Sequence, residues 1–385
     1  MANSTISTNN QVINFQREVF KEYVSTGEFE KFTGTSSDAI IQINKDLQKH
    51  SIPLIAKLKG SGVRGSGVLN GNEEVLANYE MRFQPTYHRN AVSITNEENE
   101  KSQFDLFQES RPQLMQWCLE QKRDKMIQAL LAVEAGGTYY NYGGNEATGA
   151  TGSSAASVAN LDIWQANNSD RILYGKAKAN LTSGDHTASL GTIDTTNDKL
   201  TTSNLSLLKR MANTANPKIR PIRVQGDKSF FVYFVGSYGF RDLSNEAAML
   251  NANRDARARG ENNPLFQGGD LLWDGILIRE VPEMDKFIDG TGDGIFDGIW
   301  GANAAGDRLD NSGNSGSRVG VGFLCGAQSV VFGLGREAQF KSKNEDDYGH
   351  SNGVAVSTKH DIKKVFFNNK QHGIVTHFHS ASIDS

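Results

Sequence analysis

Three groups of residues in this chain have types and spacings that chemistry could use. Asp289, Thr291, Asp293, Gly294 and Asp297 stand at the first, third, fifth, sixth and ninth positions of a helix–loop–helix calcium loop. Oxygen ligands at that density can hold a hard cation, yet position twelve, where a bidentate Glu belongs, is Trp300. A solvated acidic turn is the expected structure, with Asp289, Asp293 and Asp297 as the candidate calcium ligands. Gly60, Gly62 and Gly65 match G-x-G-x-x-G, and Glu80 sits where a ribose-binding acid would fall. That fingerprint needs a helix whose N-terminus holds the pyrophosphate. Here the chain runs on into Gly67, Asn70, Gly71 and Asn72, so a hairpin tip is expected instead. His377 and His379 alternate on an expected strand and so face one side. Without a third ligand they predict a polar strand face rather than a metal site.

Nucleophilic catalysis lacks a motif: there is no G-x-S-x-G, no H-E-x-x-H and no P-loop. Cys118 falls within a helical pattern, and Cys325 has apolar neighbours. Both are expected to be buried free thiols, and two cysteines build neither a disulfide framework nor a four-Cys zinc site. Asn167, Asn180 and Asn204 open N-x-S/T triplets that an Asn-, Ser- and Thr-rich chain produces by chance. No catalytic residue and no cofactor is expected, and the chain reads as something other than an enzyme.

The composition agrees. In 385 residues, 40 Lys and Arg face 44 Asp and Glu, a formal charge of −4. That balance offers no electrostatic case for sequence-independent DNA binding. The apolar share of 37 % and the charged share of 22 % are those of an ordinary globular chain with room for a large core. The longest apolar run, Phe230–Val235, is strand-sized and far short of a membrane span. The opening MANSTISTNNQ has neither a basic start nor an apolar stretch, so a soluble cytoplasmic product is expected.

The elements that would position these residues read as follows. Asn14–Val24 predicts a short amphipathic helix through Phe15, Val19 and Tyr23, with the polar stretch Thr33–Asp38 giving it reach. Ile52–Lys59, a glycine-rich tip Gly60–Asn72, Glu80–Phe83 and Ala91–Ile94 predict a long β-hairpin with little core of its own. A lone hairpin is marginal in water, so it must lie on another surface. Glu97–Ala135 carries the strongest helical period; Pro112 is expected to separate a leading helix from a main one, Gln113–Glu134, which Gly136-Gly137 stops. Thr202–Ala215 predicts a second helix ended by Asn216-Pro217, Phe230–Gly236 a buried strand and Asp242–Arg259 a third helix. Leu271–Pro282, Val319–Gly333, Gly353–Phe367 and Gly373–His379 read as strands; Gly143–Ser157 and Met284–Arg318 read as loops. An arm, a coreless hairpin, a domain-spanning helix and a long polar loop need partners to bury them, the logic of an assembly subunit.

That order also resembles a known family, the major capsid proteins of tailed phages with the HK97-like fold, nearest to its N4-like branch. The stretches that carry the resemblance are the opening FQREVFKEYV, Glu109–Ala135, Ser237–Leu243, Asn263–Met284, Phe323–Gln328 and Asp347–Phe367. The resemblance implies an α+β fold in five parts. Residues 1–35 would be the N-terminal arm and 36–99 the extended loop, or E-loop. Residues 100–220 would be the peripheral domain with its spine helix, 221–335 the axial domain, and 336–385 strands returning to the peripheral domain. It implies a shell of hexamers and pentamers enclosing double-stranded DNA, with no membrane. A separate scaffolding protein, a portal and a decoration protein would be partners, and the virion capsid would be assembled in the host cytoplasm. Lys57, Lys59 and Arg64 along the E-loop are the expected subunit contacts, pairing with acidic residues of a neighbour. Other readings are a decoration or tail-tube component, which would lack a long helix beside a long hairpin, and a secreted β-rich binding module, which would want disulfides. An unrecognised hydrolase would want a convergent polar pocket.

Overall fold

The computed structural model describes residues 28–44, 49–58, 60–102, 105–140, 158–224, 228–257, 271–287, 310–311, 317–346 and 350–381. The expected arm helix Asn14–Val24, the loop Gly143–Ser157, Lys59 and the acidic residues Asp289, Asp293 and Asp297 lie outside them. The chain forms two units, a large one within Thr26–Tyr87, Gln121–Arg336 and Lys359–Ser385 and a small one whose described residues fall within His88–Glu120 and Glu337–Thr358.

The large unit is organised by the apolar run at Phe230–Val235. A run without polar alternation suits a strand covered on both faces, and Lys228–Val235 is the middle of an eight-stranded sheet. The order across it is Leu271–Trp273, Ile276–Glu280, Lys228–Val235, Ser317–Cys325, Ile374–Ser380 and Ile172–Tyr174, with Ile222–Val224 and Asp310–Asn311 paired off this path. Lys228–Val235 runs parallel to Ile276–Glu280 and antiparallel to Ser317–Cys325. Alternate side chains feed two cores. Val232, Phe234, Phe323 and Phe378 join Ile127, Leu130 and Trp164 on one face. Phe231, Tyr233, Val235 and Leu324 join Leu205, Leu208 and Met211 of the helix Thr202–Thr214 on the other. That helix follows the sequence reading, its first turn held by Thr201, which accepts the Asn204 N–H at 3.4 Å.

Two glycines admit the polar side chains of this sheet. A Cβ on Gly322 would lie 1.9 Å from the Tyr233 hydroxyl, and one on Gly320 would lie 2.6 Å from the His379 ring. Phe29 and Phe32 pack on Phe234 with ring centroids 4.8 and 5.7 Å away. The stretch expected to give the arm reach is therefore a folded turn here, closed by the Asp38 carboxylate accepting the Thr35 N–H at 2.6 Å.

In the small unit, Leu114 and Cys118 of the helix Leu106–Leu131 pack on Val354 and Val356, with Val92, Phe107, Trp117 and Ala338 around them. This helix and the strands Thr86–Thr95, Val330–Asp346 and Ser351–Lys364 each run from one unit into the other.

Four expectations need correction. Leu106–Leu131 is one helix with Pro112 inside it. Asp105 caps its first turn, accepting the Phe107 and Gln108 N–H groups, and Pro112 and Gln108 are both exposed, so the carbonyl the proline cannot pair faces water. Its 26 residues span about 39 Å at roughly 1.5 Å each. The helix ends before Gly136-Gly137. Those glycines, at φ 59° and 78°, form instead the two-residue turn between the strands Val133–Ala135 and Thr138–Tyr140. The third helix is two, Ser237–Ser244 and Ala247–Arg257. Finally, Ala91–Ile94 does not return along the hairpin; it lies within Thr86–Thr95, the outer strand of a five-stranded sheet.

Candidate assembly surfaces

The hairpin pairs His50–Ile55 with Asn78–Phe83. Its base has a core: Met81 and Phe83 are buried with Val331, Val365 and Phe367, and Ile52, Leu54 and Tyr79 pack against them. Gly333 leaves room for the Phe83 ring, which would stand 2.3 Å from a Cβ there. Beyond the Ile55–Asn78 pair one more bond joins the limbs, from the Ala56 N–H to the Ala77 carbonyl at 2.9 Å, and the described residues from 57 to 76 form neither strand nor helix. No helix begins at Gly60, Gly62 and Gly65, so these residues cannot cradle a dinucleotide.

The tip carries apolar side chains that the described residues leave exposed. Ile55, Leu58, Val68, Leu69, Val75 and Leu76 are all more than half exposed, and Val75 reaches 88 %. Burying one Val or Leu side chain contributes about 1.5–3 kcal/mol. Six of them together far exceed the scattered exposed apolar residues of an ordinary surface. Their signal was present in the sequence as Val68-Leu69 and Val75-Leu76 amid polar residues. Lys57 and Arg64 are exposed on the same tip. Its outgoing limb is held to the turn by carboxylates: Glu74 accepts the Gly60 N–H at 2.6 Å and Glu73 accepts the Gly71 N–H at 2.7 Å.

The other polar clusters lie deep in the large unit. His377 and His379 do share one side of their strand, but that side is buried rather than solvated. The His377 Nε2–H donates to the Gly175 carbonyl at 3.1 Å, so its Nδ1 accepts from the Tyr233 hydroxyl at 3.0 Å. Burial holds the ring neutral, with its pKa lowered to about 3. His186, likewise buried and lowered to about 3, meets the Tyr174 hydroxyl at 2.7 Å. Sequence reading missed this second cluster because the helix that encloses it, Val158–Asn167, has a weak apolar period.

Lys364 is the most unusual of these groups. It is fully buried, and its ammonium donates to the carbonyls of Leu130 at 3.1 Å and Ala132 at 3.4 Å. Those carbonyls close the C-terminus of the long helix, where a cation complements the helix dipole. The rings of Trp164, Phe323 and Phe366 stand 5.5–5.9 Å away. Desolvation dominates and lowers its pKa to about 7. Cys325, also buried, is raised to about 12, and both cysteines are buried free thiols as expected. These groups are buried and bonded within the large unit. Among the described residues no cluster of three or more His, Cys, Asp or Glu could hold a metal, and no helix is long and apolar enough to cross a membrane.

Comparison with known proteins bears on these surfaces. A family model described as phage capsid protein matches residues 3–383. The major capsid protein of Pseudomonas phage KPP25 is 26 % identical over 359 residues, covering 91 % of this chain and 88 % of that protein. Among solved structures, a chain of the cyanophage Pam1 capsid asymmetric unit is 30 % identical with a TM-score of 0.84, and each chain covers 100 % of the other. The capsid of Ralstonia phage GP4 is similar in fold over 100 % of both chains, with a TM-score of 0.69 at 17 % identity.

Proposed function

The chain belongs to the phage capsid protein family, and from that premise we propose how its surfaces join copies into a shell. It is a major capsid protein with the HK97-like α+β fold, a subunit of the icosahedral head. The finer reading is ours. One chain forms both hexamers and pentamers, because a heterologous contact closes into a ring whenever the rotation fits. Residues 1–35 act as the arm, 36–99 as the E-loop, 100–220 as the peripheral domain, 221–335 as the axial domain and 336–385 as its returning strands. The E-loop tip lies across a neighbour, where its apolar side chains are covered and Lys57, Lys59 and Arg64 meet acidic groups.

The observation that carries this reading is the pairing of a family match along residues 3–383 with a tip whose apolar side chains are exposed among the described residues. The role is structural rather than catalytic. The shell encloses double-stranded DNA without gripping it, consistent with a net charge of −4. A scaffolding protein, a portal and a decoration protein complete the head, which assembles in the host cytoplasm. A decoration protein as the alternative is disfavoured by a major capsid relative matching over 91 % of the chain. The test is expression of the full chain, with a scaffolding protein where needed, and negative-stain microscopy. Closed polyhedral particles or five- and six-fold rings are expected. A monodisperse monomer under every condition would overturn the shell reading.

A further inference from the structure

The chain has two Asn-Gly steps, Asn70-Gly71 and Asn352-Gly353, and the fold gives them opposite surroundings. An asparagine loses ammonia most readily at such a step, because glycine puts no side chain in the way of its own amide nitrogen. Asn352 is held in place. It lies in the strand Ser351–Lys364, between Thr86–Thr95 and Val330–Asp346, and its carboxamide donates to the Asn96 side chain at 3.0 Å. Asn70 is exposed on the hairpin tip, and its carboxamide makes no hydrogen bond among the described residues. The Leu69 carbonyl accepts the Asn72 N–H at 2.9 Å, so Asn70 and Gly71 are the central pair of a turn, with Gly71 at φ 86°.

The same turn supplies a base. The Gly71 N–H donates to the Glu73 carboxylate at 2.7 Å. An amide N–H is a weak acid, and its loss is the hard part of the cyclisation that releases ammonia. A carboxylate already within hydrogen-bond reach of that proton stands where a general base must stand. We propose that Asn70 is a self-modification site and that Glu73 is the base that drives it. The carboxylate takes the Gly71 amide proton, the freed nitrogen bonds to the Asn70 Cγ, and the Cγ–Nδ2 bond breaks. The proton held by Glu73 leaves with that nitrogen as ammonia, so Glu73 ends as it began. A cyclic succinimide remains, which water opens at one of its two carbonyls to leave aspartate or isoaspartate at position 70. Either product turns a neutral side chain into a carboxylate close to Glu73, and isoaspartate also adds a methylene to the main chain of the tip. The reaction consumes only water. It belongs to the free chain and stands apart from the shell reading.

The test is incubation of the purified, unassembled full chain at neutral pH, followed by proteolysis and mass spectrometry of the two peptides that carry the Asn-Gly steps. Conversion raises a peptide's mass by one dalton, and electron-transfer fragmentation tells isoaspartate from aspartate. In the folded chain the Asn70 peptide is expected to convert at least tenfold faster than the Asn352 peptide. In chain unfolded by guanidinium the two are expected to convert at similar rates. Equal rates in the folded chain would overturn the site. Glu73→Gln keeps the size of the side chain and removes the base. Position 73 is exposed, so the subunit core is untouched. This variant is expected to slow conversion of Asn70 at least fivefold and to leave Asn352 as in the parent. An unchanged or faster rate would reject the base and leave Glu73 as a brace for the turn. Both readouts are taken on free subunits, so a failure of the shell reading would change neither.

Discussion

The strand Ile374–Ser380 and the hairpin tip belong to the same large unit and treat apolar side chains in opposite ways. All seven positions of the strand are buried, including a threonine, two histidines and a serine. Polar groups are drawn inside, and His377 finds its partners there in Gly175 and Tyr233. In the tip, every described residue from 57 to 76 is exposed, although valines and leucines recur along it. The strand completes its burial within one chain. The tip leaves its valines and leucines exposed. On the proposed reading, the contrast separates the residues that hold the subunit together from those that join it to a neighbour.

The largest effect on the isolated subunit is expected at the strand side. Phe234→Ala removes a ring that meets Phe29 and Phe32 in the core and should cost about 3–5 kcal/mol. Urea unfolding of the unassembled chain measures it, and a midpoint like that of the parent would break the comparison.

Lys364 gives the next effect, as a dependence on pH. Its folded pKa is lowered from 10.5 to about 7, so between those values the unfolded chain binds more protons than the folded one. Stability from this group therefore rises with pH across that window, by at most about 1.4 kcal/mol per unit. Lys364→Met should flatten that rise when unfolding curves at pH 7 and pH 9 are compared with those of the parent. An unchanged slope would assign the ammonium a solvated environment. A smaller effect follows from Thr201→Ala, which deletes the cap of the helix Thr202–Thr214. It should lower stability by about 1 kcal/mol, read from the same unfolding curves.

The smallest effect on the subunit belongs to the tip. Val75→Ser with Leu76→Ser should move subunit stability by no more than about 0.5 kcal/mol. Sedimentation velocity should nonetheless find the chain unable to form particles. Wild-type assembly by this variant would show that the two exposed side chains have no role in the contact.

What the sequence made legible followed patterns that local physics sets. FFVYFV could only be a doubly covered strand, and the period of Leu205, Leu208 and Met211 placed a helix correctly. The parity of His377 and His379 was readable, but their burial was not. It depends on Gly320, a position 57 residues earlier than His377 that offers the space for His379. Pro112 was misread because its tolerance rests on a cap at Asp105 and on an exposed carbonyl, which no window around a proline reveals. The Gly136-Gly137 pair was recognised as a break but not as a hairpin turn. The assembly surface was half legible. The lack of a core in the hairpin pointed to a partner, yet its base proved well packed and its apolar tip had been read as soft glycine-rich loop.

The exposed tip also sets a time limit on the newly made chain. Until a neighbour covers Val75 and Leu76, every free subunit displays a surface that any other apolar surface can occupy. Productive encounter and off-target sticking then compete, and both accelerate with concentration. Chain supplied faster than shells nucleate is expected to accumulate as clumps. The same quantity released in step with nucleation would close into heads. Supply rate, as much as affinity, decides the yield.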